Sequence, residues 1–115
     1  MSLRPPSNSS GASVSEVLFD ALGHEILSEK AAALGRAGAR VELCLARLRA
    51  HAPEAGTGSD SADDRQARRK GLVKEAADAV YAFFIQRELC GLRRHDAVIR
   101  DLAIPREVLV RLGAK

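Results

Sequence analysis

The sequence predicts an all-α fold: a long helical hairpin, then two short C-terminal helices, with one face of the hairpin forming an intersubunit helical bundle. Two patterns and one compositional fact point there. Apolar or small residues recur at alternating steps of three and four, the spacing of one face of a helix. Serines precede these runs, and glycine and proline interrupt or follow them, as helix starts and stops require. The apolar fraction of 46% draws on twenty alanines and only four aromatic residues, Phe19, Tyr81, Phe83 and Phe84. Small helix-forming side chains suit closely packed helices.

Residues 1–13, MSLRPPSNSSGAS, hold proline, glycine and serine and no apolar run, so they are expected to form a disordered arm. They have neither the apolar core of a signal peptide nor the basic residues of a transit peptide. Residues 14–115 are expected to form a single helical domain. Ser13 and Ser15 are both able N-caps, and Ser13 has Glu16 three residues on, the spacing of a capping box. The first helix then runs to about Ala50. Along it Leu27, Ala31, Leu34, Gly38, Val41, Leu45 and Leu48 form a heptad seam. Upstream, Phe19, Leu22 and Ile26 continue the stripe one position earlier, with Gly23 at the join, where a stutter or kink is expected.

An unbroken helix of that length spans roughly 50 Å at about 1.5 Å per residue. A compact globule of about 100 residues has a radius of gyration near 13 Å. Part of the helix must therefore project or be covered by a second copy, and the seam is expected to be the interface of a homodimer or tetramer.

Residues 52–62, APEAGTGSDSA, interrupt the pattern and read as a mobile loop. Ser59, Asp60 or Ser61 then caps a second helix that ends at Cys90, with Gly91 behind it. Residues 79–85, AVYAFFI, are apolar on all sides, so Tyr81, Phe83 and Phe84 are expected to form an aromatic core covered from more than one direction. The last two helices are expected over His95 or Asp96 to Leu102 and from Pro105, at a first-turn position, to Gly113.

Eighteen basic and fifteen acidic residues give a net charge of +3. Signs interleave along most of the chain, as on solvated helix faces. The cluster Arg65, Arg68, Arg69 and Lys70 follows Asp60, Asp63 and Asp64, which offset it, so it reads as solvated surface. Nucleic acid is therefore not an expected partner. No apolar stretch of about 18 residues is present to span a membrane. A cytoplasmic, reducing setting is expected, with Cys44 and Cys90 as buried thiols too far apart along the hairpin to pair.

Residues 98–112, VIRDLAIPREVLVRL, have apolar spacing similar to a helix-turn-helix, in which Arg100, Arg106 and Arg111 would be the candidate DNA contacts. The pattern departs from that motif at Ala103, where the turn normally carries glycine, and at the bulky Ile99. His24, Glu25 and Glu29 resemble a zinc-peptidase HExxH only in the first two residues. GTGS at residues 56–59 lacks the lysine and preceding strand of a phosphate loop. Arg87 and Glu88 mark the place for a buried ion pair, and with Tyr81 a possible ligand pocket. Glu75 and Asp78 share a helix face that ordinarily meets water.

Over residues 74–115, which contain EAADAVYAFFIQRELCGLRRHDAVIRDLAIPREVLVRLG, and again at AAALGRAGARVE in residues 31–42, the chain resembles a family of short helical bacterial proteins known only as a domain of unknown function. The resemblance implies a helical, cytoplasmic bacterial protein and brings no activity, cofactor or site residue. The residues themselves show no catalytic cluster, no metal-ligand spacing and no cofactor motif. The expected function is a non-enzymatic oligomeric helical structural or protein-interaction module, without cofactor. The alternative is an accessory DNA-binding protein using residues 98–112.

Overall fold

The computed structural model describes residues 13–51 and 61–114. The arm expected over residues 1–13 and the loop expected near 52–62 lie outside them apart from Ser13, Ser61 and Ala62. The described chain is 81% helical and holds no strand among those residues. Its elements are α1 (Val14–Ala50), α2 (Ala62–Leu89), α3 (Asp96–Asp101) and α4 (Arg106–Leu109).

Ser13 caps α1 in a full capping box: its hydroxyl accepts from the Glu16 amide, and the Glu16 carboxylate accepts from the Ser13 amide. The helix then runs unbroken for 37 residues. Gly23 is an ordinary helical position with no atom near its missing side chain, so the shift in the apolar stripe there is not a break. Ser61 caps α2 through the Asp64 amide.

α2 folds back antiparallel along the C-terminal half of α1. The register is fixed by contacts down its length: Lys30 with Leu89, Gly38 with Phe83, Arg47 with Glu75, and the His51 carbonyl with Arg69. Gly38 lies where α2 sets the Phe83 ring against α1, and a methyl group there would meet that ring at 3.3 Å. The core between them holds Val41, Cys44, Leu45 and Leu48 from α1 and Val73, Ala76, Val80 and Phe83 from α2. The C-terminal segment closes this core with Ile104 and Val108.

Here the expected seam divides. Val41, Leu45 and Leu48 are buried against α2 of their own chain, Leu34 and Gly38 are half-buried there, and Leu27 and Ala31 are exposed. The seam assigned to a partner copy is thus largely filled within one chain. The physical reason is cover: α2 folds onto that face but ends beside Lys30, so Leu27, five full turns before the buried Leu45, points the same way with nothing against it, and Ala31 stands at the edge of the contact. Tyr81 also departs from its expected place in the aromatic core. It is 49% exposed, beside Gly113, while Phe83 is buried and Phe84 half-buried. α1 and the C-terminal segment cover two sides of residues 79–85, and Tyr81 and Ile85 lie on the open side.

α2 and α3 end in the same way. After α2 the Gly91 amide donates to the Glu88 carbonyl and the Leu92 amide to that of Arg87; after α3 the Ala103 amide donates to Arg100 and the Ile104 amide to Ile99. Both are Schellman closures, which put one residue in the left-handed region. In the first it is Gly91, with φ of 89°, and in the second Ala103, with φ of 51°. The second short helix is shorter than expected, four residues rather than a run to Gly113. After Val110 the amides of Arg111 and Leu112 bond three residues back, not four, which tightens the chain into turns.

The paired closures generate a prediction. Ala103→Gly removes the left-handed strain on a side chain and is expected to stabilise the protein by about 1 kcal/mol, whereas Gly91→Ala is expected to cost about the same. Denaturant midpoints of the two variants should move in opposite directions.

Candidate functional site

α2 ends beside Lys30, so residues 14–29 of α1 extend about 24 Å past their helical partner. No other described element covers them. Val14, Val17, Leu18, Phe19, Leu22, Ile26 and Leu27 are all more than half exposed, with Phe19 at 72% and Leu27 at 65%. Phe19 and Ile26 continue the side of α1 that carries Ala37, Val41, Cys44 and Leu48 against α2, five full turns before Ala37 and Cys44, and Leu22 stands at its edge. The apolar face thus runs on where its cover stops. Ser15, Leu18, Phe19 and Leu22 line a shallow apolar hollow on it. Contiguous exposed apolar surface of this kind is uncommon on monomeric proteins.

The charges of α1 are segregated between its two halves. Residues 14–29 carry Glu16, Asp20, Glu25 and Glu29 and no lysine or arginine, whereas residues 30–50 carry Lys30, Arg36, Arg40, Arg47 and Arg49 against Glu42. Most of these groups are exposed. Arg36 pairs with Glu29 at 3.3 Å, both on the surface, and Arg47 reaches Glu75 of α2 at 3.4 Å. His24, Glu25 and Glu29 lie on the projecting segment. Among the described residues no group of three His, Cys, Asp or Glu side chains comes together as a metal would require.

A second polar cluster joins α2 to α3. Arg87 and Glu88, expected to form a buried ion pair, are instead joined through His95. Arg87 Nε donates to His95 Nδ1 at 3.1 Å, and the other ring nitrogen, Nε2, meets Glu88 Oε2 at 3.0 Å. The imidazole stacks on Phe84 with ring centroids 4.1 Å apart, Arg87 also donates to the Arg94 carbonyl, and its guanidinium lies 5.9 Å from the centre of the Phe83 ring. Sequence reasoning placed His95 only as a helix start. Its eight-residue distance from Arg87 becomes contact only because Gly91 reverses the chain. Tyr81 lies apart, beside Gly113, so the three residues named for a ligand pocket do not converge.

The C-terminal segment is held by two arginines. Arg49 donates to the carbonyls of Leu102 and Ala103, capping the end of α3. Arg69 pairs with Glu107 and donates to the His51 carbonyl, so this member of the basic cluster ties three segments together. Of the candidate DNA contacts, Arg100 and Arg106 are exposed, and Arg111 is half-buried. Arg111 lines a hollow with Gln66, Lys70 and Glu107 against α2, and its Nε is buried with no hydrogen-bond partner among the described residues. The three arginines stand on α3, at the start of α4 and beyond α4, and α4 is a single turn.

Both cysteines are free thiols, Cys44 in the core and Cys90 half-buried beside the Lys30 carbonyl. Among the described residues no helix is long and apolar enough to cross a membrane.

The chain belongs to a family of unknown function, DUF6665, whose model matches residues 1–115, so the resemblance read in residues 31–42 and 74–115 extends over its whole length. No curated protein and no solved structure matches it.

The His95 cluster generates a test. His95→Ala removes the stack on Phe84 and leaves Arg87 and Glu88 without their shared partner. It is expected to lower stability by about 1–2 kcal/mol, read from the denaturant midpoint. An unchanged midpoint would mean that the cluster holds nothing.

Proposed function

We propose that the protein is a non-enzymatic, self-associating helical module whose working surface is the projecting half of α1. One observation carries this reading: residues 14–29 have no helix beside them, yet they keep the apolar row that α2 covers further along. A helix exposed on all sides gains nothing from Phe19, Leu22 and Ile26. Against a second copy, each such side chain contributes roughly 1 kcal/mol or more of burial. Gly23, which costs about 1 kcal/mol in a helix interior, is easier to hold when the segment is packed.

A closed homo-oligomer is the common outcome for a self-complementary surface, with a two-fold dimer the commonest. Helix packing around a four-helix core suits the proposed dimer, since each copy supplies α1 and α2. The role that follows is structural, either as an assembly unit or as a platform for another protein.

Light scattering across protein concentration and salt, with and without an unspecific DNA duplex, tests the reading. A dimer or tetramer indifferent to DNA is the expected result; a monomer that shifts onto DNA only at low salt would replace it with a nucleic-acid function. Phe19→Asp and Ile26→Asp are each expected to weaken assembly at least tenfold while the α1–α2 core stays folded. Their side chains lie outside that core, and a buried carboxylate at the interface would be unpaired. By contrast, Val41→Asp is expected to unfold the hairpin itself.

A further inference from the structure

We infer that the second copy lies antiparallel along α1, related by a two-fold axis at the midpoint between Ala32 and Ala33. This rests on the self-association proposed above and adds its geometry.

The observation is a palindrome of chemistry on one exposed row of the helix. Glu29 and Arg36 lie equally far on either side of that midpoint, as do Glu25 and Arg40, and Leu22 and Leu43. These six residues follow each other at steps of three, four and seven, so they share one side of the helix, and all six are exposed. In a two-fold antiparallel pair, residues equidistant from the axis face each other, and each contact occurs twice. These three facing pairs match, Glu25 with Arg40, Glu29 with Arg36 and Leu22 with Leu43; Glu29 and Arg36 also pair within one chain, and beyond them Leu18 would face Arg47, which Glu75 of its own chain holds. Leu43, 58% exposed, is the large apolar side chain left uncovered among residues 30–50, and this register gives it an apolar partner. The small side chains of Ala32 and Ala33 at the centre let the two helix axes approach closely.

Other arrangements satisfy less. Pairing the projecting segments alone, centred near Leu22, brings four carboxylates from each copy together with no cation. A parallel pair sets Glu25 against Glu25 and Arg40 against Arg40. The helix macrodipole does not account for the segregation either. It acts within the first and last turns, and Glu25, Glu29, Arg36 and Arg40 lie well inside a 37-residue helix. Neither Glu25 nor Arg40 has an ion-pair partner among the described residues. The row lies on the side of α1 that α2 leaves open: Leu22 and Glu25 stand five helical turns before the exposed Arg40 and Leu43.

Charge reversal tests this register. Glu25 and Arg40 are separated by about 22 Å along one helix, beyond the screening length of roughly 10 Å at moderate salt, so coupling between them arises only across two chains. At about 50 mM salt, Glu25→Arg and Arg40→Glu are each expected to weaken the dimer at least tenfold, since two attractions become two repulsions. The double variant Glu25→Arg/Arg40→Glu is expected to return to within about threefold of the native dissociation constant. A dimer indifferent to the single reversals, or a double variant no better than the singles, overturns the register and leaves self-association standing. A native chain that stays monomeric at every concentration overturns both.

Discussion

The contact of Gly38 with Phe83 sets the dimensions of the molecule. The missing side chain leaves room for the Phe83 ring against α1: a methyl group there would sit 3.3 Å from the ring, which would have to give by a few tenths of an ångström. From that point the antiparallel register runs toward the buried layer of Val41, Leu45, Val73, Ala76 and Val80 in one direction and toward Lys30 and Leu89 in the other. α1 has 37 residues and α2 has 28. With Lys30 beside Leu89 and the His51 carbonyl on Arg69, α2 begins before it reaches α1 and ends partway along it, which leaves residues 14–29 of α1 with an apolar row and no cover. The surface on which the proposed function rests is thus a consequence of where that register ends α2 along α1.

The rest of the chain is fastened to this hairpin by polar groups placed where the backbone turns. Gly91 ends α2 and brings His95 back onto Phe84, between Arg87 and Glu88. Arg49 satisfies the last carbonyls of α3, and Arg69 joins the ends of α1, α2 and α4. Exposed ion pairs of this kind contribute little individually. Their effect is positional, since they hold Ile104 and Val108 over the core, where burial supplies the energy.

Much of this was legible in the sequence, and the misreadings share one cause. Ser13 with Glu16 and Gly91 identify their caps, and the cap of α2 is narrowed to Ser59, Asp60 or Ser61, because capping needs only neighbours in the chain. The length of α1 follows from the three-four pattern, although the shift at Gly23 reads as a stutter or kink where the helix in fact runs straight through. The heptad seam correctly locates an apolar face, but periodicity cannot say whether the helix that fills the face belongs to the same chain. Val41, Leu45 and Leu48 turn out to serve α2. Tyr81 was misread for a related reason: apolar residues on all sides of a segment show that it can be buried, not how many neighbours arrive. The Arg87–His95–Glu88 cluster depends on a chain reversal that brings together residues with no sequence periodicity between them. The palindrome about Ala32 and Ala33 is written in the sequence, yet it acquires meaning only once α2 is known to leave that side of α1 open.

The central claim is that residues 14–29 are covered by a second copy. Hydrogen exchange of their backbone amides as a function of protein concentration measures this directly, because an uncovered terminal helix opens locally at little cost whereas a packed one does not. The account predicts slow exchange over residues 18–29 at high concentration, approaching that of residues 38–48, and fast exchange on dilution while residues 38–48 remain protected. Fast exchange of residues 18–29 at every concentration, beside a protected α1–α2 core, would contradict it.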